Sequence, residues 1–84
     1  MRKIEKLEVE NLIKRKIAPF LEIEEHNIDE TKGVIDELKL DDDDFSAIAI
    51  ELEQELSVKP QREKYRSVLS VSDWASLLIS ELEN

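Results

Sequence analysis

Apolar residues recur every three or four positions along most of the chain, which is the spacing of amphipathic helices. A first helix over residues 3–21 is predicted by an apolar stripe that consists of Val9, Ile13, Ile17, Phe20 and Leu21. Pro19 lies near the end of this stretch. Because proline has no backbone N–H to donate, it should bend the last turn or end the helix early.

Residues 22–41 interrupt the helical period and predict a long loop. Acidic residues dominate it, and the apolar positions that we expect to anchor it are Ile23, Ile28, Val34, Leu38 and Leu40. A loop of this length in a small domain is uncommon unless it packs or has a function. The short run 34–38 predicts a single turn of helix within it.

A second helix is predicted to begin at the aspartate run Asp41–Asp44. Aspartate is a favoured N-cap residue, and its charge is favourable in the first turn of a helix. The apolar face that follows consists of Phe45, Ile48, Ala49, Leu52 and Leu56. Pro60 then ends the helical stretch.

Two more helices complete the predicted fold. Residues 61–67 predict a short third helix, and Ser72 is the expected N-cap of a last helix over residues 72–82. The apolar face of that last helix consists of Ala75, Leu78, Ile79 and Leu82. The sequence therefore predicts an all-α fold, a small bundle of three main helices plus one short helix, in a single domain over residues 1–84.

Composition excludes several classes of function. The 84 residues include no cysteine, one glycine and one histidine, which leaves no disulfide framework, thiolate metal site or glycine-rich phosphate loop. The net charge of −9 opposes binding to nucleic acid. No apolar run approaches the ~20 residues of a membrane span. We expect a cytoplasmic protein with no nucleic-acid or membrane partner, and a monomer rather than an oligomer.

The negative charge is concentrated in the middle of the chain. Residues 1–20 carry a net +3, residues 21–58 a net −12 and residues 59–84 a net 0. The basic run Lys14–Lys16 predicts a solvated helix face that can also pair with acids of a second copy. Asp41–Asp44 holds more carboxylates than one helix cap requires, and their mutual repulsion favours a basic partner.

Four short motifs, in order and in register, resemble those of acyl and peptidyl carrier proteins. They are Leu21-Glu22-Ile23 for Leu-Gly-Val, Leu38-Lys39-Leu40-Asp41-Asp42 for Leu-Gly-x-Asp-Ser, Leu52-Glu53-Gln54-Glu55-Leu56 for Leu-Glu-x-x-Phe, and Ser70-Val71-Ser72-Asp73 for Thr-Val-x-Asp. The resemblance covers residues 9–82 and makes residues 1–8 an N-terminal extension of the first helix. It implies a carrier-like bundle.

The resemblance fails at the residue that carries the family's chemistry. Carrier proteins attach 4′-phosphopantetheine to the serine of the Asp-Ser pair, and this register places Asp42 there. A carboxylate cannot replace the hydroxyl nucleophile, so no cofactor is expected. The chain is similar to divergent carrier-like proteins with Asp-Asp at this turn. The alternative is attachment at Ser46, which would disturb the spacing to Leu38 and Leu56.

The resemblance also implies a changed docking face. The apolar strip that carriers present to enzymes corresponds here to Asp43, Ser46 and Ile50, of which only Ile50 is apolar. The expected partner-binding residues are therefore Asp41, Asp42, Asp43, Asp44, Ile50 and Glu51. We expect them to bind the basic surface of a protein partner, for example a synthase-type enzyme.

Other readings of the aspartate run are weaker. A calcium-binding EF-hand loop that starts at Asp41 would need glycine and glutamate where Ser46 and Leu52 stand, so no metal site is expected. A small bundle offers little concave surface for a catalytic pair of carboxylates, so no catalytic residue or enzyme activity is expected. Two alternatives to the interaction module remain: a functional acyl or aminoacyl carrier modified at Ser46, and an acidic inhibitor or immunity protein against a basic partner.

Overall fold

A computed structural model describes residues 4–83, and within that range the chain forms three α-helices and no β-strand. Helix α1 spans Lys6–Leu21, α2 spans Asp42–Leu56 and α3 spans Val71–Leu82. Two 3₁₀ helices lie between them, Glu25–Asn27 and Arg62–Ser67. The predicted small all-α bundle is confirmed at this level.

The predicted apolar faces form one core between the helices, and α1 packs most extensively against α3. Phe20 is the exception on α1, because it is 47% exposed and does not join the core as predicted. The side chains with the least solvent exposure are Val9, Ile13, Ile17, Val34, Ile48, Leu52, Val71, Trp74, Ala75 and Leu78. Burying apolar surface of this kind provides the main stabilisation of a domain without disulfides. Each of the three α-helices contributes to this list, as the periodicity predicts.

Pro19 lies inside α1, and the helix continues past it to Leu21. Of the two effects expected of Pro19, an early end of the helix does not occur, and α1 ends at residue 21 as predicted. Proline removes one backbone hydrogen bond, but Pro19 is in the last turn and is exposed, so water can satisfy the carbonyl that loses its partner. The C-cap residue is Glu22, which adopts a left-handed conformation with φ of 58°.

Helix α3 begins one residue earlier than predicted, and its N-cap is Ser70 rather than Ser72. The Ser70 hydroxyl oxygen accepts the backbone N–H of Asp73 at 3.1 Å, and the Asp73 carboxylate accepts the backbone N–H of Ser70 at 3.1 Å. This reciprocal pair is a capping box, which needs an acidic residue three positions after the cap. Ser72 is followed at that distance by Ala75, which cannot reciprocate.

The long loop is tied to the start of α3 by main-chain hydrogen bonds. The N–H of Val34 donates to the carbonyl of Leu69 at 2.7 Å, and the N–H of Ser72 donates to the carbonyl of Glu30 at 2.9 Å. Ile28, Val34 and Leu40 are buried as predicted, whereas Ile23 is exposed and does not anchor the loop. The N–H groups of Glu37 and Leu38 donate to the carbonyl of Gly33, which forms the predicted single turn in run 34–38.

Candidate interaction surface

The four aspartates occupy the junction between the loop and α2. Asp41 is the N-cap, and Asp42, Asp43 and Asp44 form the first turn. The first three are exposed and Asp44 is half-buried. Asp41 holds its expected position, but its side chain makes no capping hydrogen bond. We call this set of four residues the acidic start of α2.

No carboxylate of the acidic start of α2 forms an ion pair within residues 4–83. Four negative charges in one helical turn repel one another, and the positive end of the helix dipole offsets only part of that repulsion. The surface therefore carries a concentrated and unneutralised negative potential. Such a potential speeds the approach of a basic partner and makes binding sensitive to salt.

Phe45 fixes the position of this first turn. Its ring stacks on Trp74 with centroids 4.4 Å apart and meets Tyr65 edge to face at 6.2 Å. Trp74 is completely buried, and its indole N–H has no hydrogen-bond partner among the described residues. Aromatic contacts of this kind hold the turn against the core of the bundle.

Ile50 and Glu51 differ in how available they are to a partner. The Ile50 side chain is 55% exposed and lies two helical turns after Asp43 on the same face. The Glu51 carboxylate lies 3.4 Å from the ammonium of Lys16, which also pairs with Glu55 at 3.2 Å. These two hydrogen bonds, that with Glu55 above all, raise the pKa of Lys16. Glu51 is thus already engaged by α1.

The basic run of α1 is occupied within the chain. Lys14 pairs with Glu30 at 3.1 Å and is 14% exposed, and the Arg15 guanidinium lies 3.9 Å from Glu25. With Lys16 held by α2, each cation of the run has an acidic partner within the chain, and Arg15 remains solvated, since its side chain is 68% exposed. The hydrogen bond from Lys14 also helps to lower the pKa of Glu30, although a hydrogen bond with its own backbone contributes more.

Ser46 is exposed on α2, one turn after Asp42. Its hydroxyl is therefore open to solvent, as an attachment site would require. Nothing in residues 4–83 groups three His, Cys, Asp or Glu side chains as metal ligands. Within the same range, no helix has both the length and the apolar character needed to cross a membrane.

Three residues that the sequence did not predict to be left-handed are so in the structure. Glu22, Lys39 and Ser57 have φ of 58°, 68° and 56°. A side chain disfavours this conformation, and glycine is the residue that usually adopts it. A signal was present for Glu22 and Lys39, because the carrier motifs quoted above have glycine at these two positions, but not for Ser57.

No protein-family model and no curated protein matches the chain.

Proposed function

We propose that the chain is a non-catalytic domain of acyl-carrier-protein-like shape that acts as an acidic protein–protein interaction module. The observation that carries the proposal is the acidic start of α2. Asp41, Asp42 and Asp43 are exposed, and none of its four carboxylates forms an ion pair within the described residues, while the cations of the neighbouring α1 run pair with other acids. A basic protein surface is the partner that would neutralise it.

The backbone supports the carrier-like register. Where the family motifs have glycine, this chain has Glu22 and Lys39 in the backbone conformation that glycine favours. Left-handed turns at both positions are what a chain needs if it keeps the family's turns without the family's glycines. This agreement supports the alignment that puts Asp42 at the position of the modified serine.

The chemistry at Asp42 then argues against a carrier role. Attachment of phosphopantetheine requires a hydroxyl oxygen that attacks the pyrophosphate of coenzyme A and displaces 3′,5′-adenosine diphosphate. A carboxylate at Asp42 offers no such stable linkage and repels the phosphates. Ser46 has an exposed hydroxyl and is the alternative attachment site.

A mass measurement separates these two readings. The protein is incubated with coenzyme A and a promiscuous phosphopantetheinyl transferase, and its intact mass is taken. We expect no change for the wild type and the gain of one phosphopantetheinyl group for Asp42→Ser. The matched variant Asp43→Ser should stay unmodified, because its hydroxyl is one residue out of register.

Each other result has a definite meaning. Modification of the wild type that Ser46→Ala abolishes would establish the carrier alternative. Failure of Asp42→Ser, with a genuine carrier modified in parallel, would reject the register and with it the carrier-like part of the proposal. The interaction role would then be judged on binding alone.

Binding is tested by charge reversal in the acidic start of α2. After a partner has been cross-linked in cells and purified, its affinity is compared for the wild type and Asp42→Lys/Asp43→Lys. We expect a loss of about tenfold at low salt that shrinks at high salt. The control Glu24→Lys/Asp36→Lys makes the same charge change at two other exposed acids and should have little effect.

Circular dichroism of both variants guards against a simple loss of structure, because lysine in the first turn of a helix is unfavourable. Equal affinity of the two double variants would contradict the proposed role of this surface. The identity of the partner also decides between a synthase-type enzyme and a basic enzyme, such as a nuclease, that an acidic inhibitor would cover.

A further inference from the structure

Basic side chains gather on and just before the 3₁₀ helix Arg62–Ser67. Lys59, Arg62, Lys64 and Arg66 fall within eight residues that contain a single acid, Glu63. All four cations are exposed. This is unusual in a chain whose net charge is −9.

Three of these cations have no ion-pair partner among residues 4–83. Lys64 is held by Glu81 at 2.9 Å, but Lys59, Arg62 and Arg66 form no ion pair there. We call these three residues the basic strip. It differs from the basic run of α1, every member of which is paired within the chain.

A groove with a partly apolar floor lies beside two members of the basic strip, Lys59 and Arg62, and Arg66 follows on the same 3₁₀ helix. Its volume is about 480 Å³, and its lining consists of Glu53, Lys59, Pro60, Gln61, Arg62 and Tyr65. The Tyr65 hydroxyl donates to the Glu53 carboxylate at 2.5 Å, and its ring rests edge-on against Phe45. Pro60 is buried, so both apolar elements of the floor are fixed.

We propose that the basic strip and this groove bind an extended acidic segment of a protein. Carboxylates of the segment pair with Lys59, Arg62 and Arg66, and an apolar side chain of the segment lies on the Tyr65 ring. Arginine guanidinium groups suit this role, because each can bind a carboxylate through two parallel hydrogen bonds. The surface is distinct from the acidic start of α2 and requires a ligand of opposite charge.

The charges favour an acidic peptide over a nucleic acid. Nucleic-acid binding depends on many phosphate contacts, and the strip offers three cations on a strongly acidic domain. Glu53 and Glu63 also stand beside the strip, and they disfavour a continuous line of phosphates. A peptide can place its carboxylates only where the cations are and turn other side chains toward the two glutamates.

The test uses a synthetic peptide in which glutamates alternate with serines on each side of a central phenylalanine, so that uncharged side chains can face Glu53 and Glu63. It is titrated into the ¹⁵N-labelled protein, and amide chemical shifts are followed by NMR. The net charge of the protein repels this probe, so any binding must come from a local surface. We expect shift changes at residues 59–68 and at Glu53, and their loss as salt is added.

Two double variants give the comparison. Arg62→Glu/Arg66→Glu should weaken peptide binding by about tenfold or more, and Arg62→Gln/Arg66→Gln should weaken it less. The control Lys32→Glu/Lys39→Glu makes the same charge change at exposed lysines outside the strip and should stay within about twofold of the wild type. The native spectrum of each variant verifies its fold.

Three results would overturn the proposal. One is an absence of shift changes on titration with excess peptide, and another is an equal loss of affinity in the lysine control. The third is binding of a single-stranded oligothymidylate of the same charge as tightly as the peptide, which would make the strip a phosphate-binding surface. None of these results bears on the acidic start of α2, so the two proposals fail separately.

Discussion

Replacing Lys39 with glycine should leave the protein equally stable or make it more stable, which is the opposite of the usual effect of glycine. Lys39 has φ of 68° and is exposed, and it forms no ion pair within the described residues. The left-handed conformation costs a residue with a side chain about 1–2 kcal/mol. Glycine removes that cost but loses about 0.5–1 kcal/mol in backbone entropy on folding. The free energy of unfolding should therefore stay constant or rise by about 0.5 kcal/mol.

Lys32 is the matched position. It is also an exposed lysine of the same loop, but its φ is not positive. Lys32→Gly has only the entropic cost, so the free energy of unfolding should fall by about 0.5–1 kcal/mol. The two glycine variants should thus differ by about 1 kcal/mol or more, which corresponds to about 4–8 °C in melting temperature for a domain of this size.

Urea unfolding followed by fluorescence measures this difference directly, because Trp74 is the only tryptophan and is completely buried. Lys39→Ala and Lys32→Ala separate the loss of the side chain from the change in backbone freedom. Equal destabilisation by the two glycine variants would refute the reasoning. It would mean that Lys39 is not strained, and it would withdraw the backbone support for the carrier-like register.

Three further predictions concern the helices and the groove. Asp73→Ala should lower the free energy of unfolding by about 1 kcal/mol at pH 7 in thermal melts, because the backbone N–H groups that its carboxylate accepts lose their partner. Those hydrogen bonds lower the pKa of Asp73, so its contribution to the free energy of unfolding is present above pH 3.8 and is lost as the pH falls further. A stability difference between Asp73→Ala and the wild type that stays constant down to pH 2 would count against this. Burial, and then the hydrogen bond to Glu53, raise the pKa of Tyr65 above 10, so the wild type should lose stability as the pH rises beyond 10, whereas Tyr65→Phe should lose less. Ile48→Ala should lower the free energy of unfolding in urea by about 2–5 kcal/mol and Ile50→Ala by less than about 0.5 kcal/mol, since the two residues are 0% and 55% exposed. Similar losses in the two variants would mean that the buried face of α2 is assigned wrongly.

The helices could be predicted from the sequence, because most of the apolar residues that recur with helical spacing are the ones that the fold buries. The sequence was less reliable at the ends of elements, where single hydrogen bonds decide. Ser70 and Ser72 both resemble N-caps, and the choice depends on which of them has an acid three residues later. Proline is best tolerated in the first turn of a helix, where its missing N–H would have no partner; in the last turn Pro19 removes one hydrogen bond, and α1 still continues for two residues.

The acidic start of α2 was visible in the sequence as a run of four aspartates, but its lack of internal partners was not. Pairing across the fold depends on which helices become neighbours. Lys16 illustrates this, since it belongs to a basic run in the sequence and reaches Glu51 and Glu55 on another helix. The same limit applies to the basic strip. Its basic residues are evident in the sequence, but their lack of ion-pair partners within the described residues is visible only in the folded structure.

The main-chain bonds between the loop and α3 divide residues 22–41 into two parts with different susceptibility to a protease. Cleavage requires the backbone to extend and release its hydrogen bonds, and the exposed Glu22 and Glu24 make only local ones, such as that from the Asn27 N–H to the Glu24 carbonyl at 2.9 Å. The Glu30 carbonyl is bonded to the N–H of Ser72, so cutting there requires the start of α3 to open as well. A glutamate-specific protease would therefore meet one accessible hinge near residue 24, and the rest of what looks like a connector would unfold together with the core.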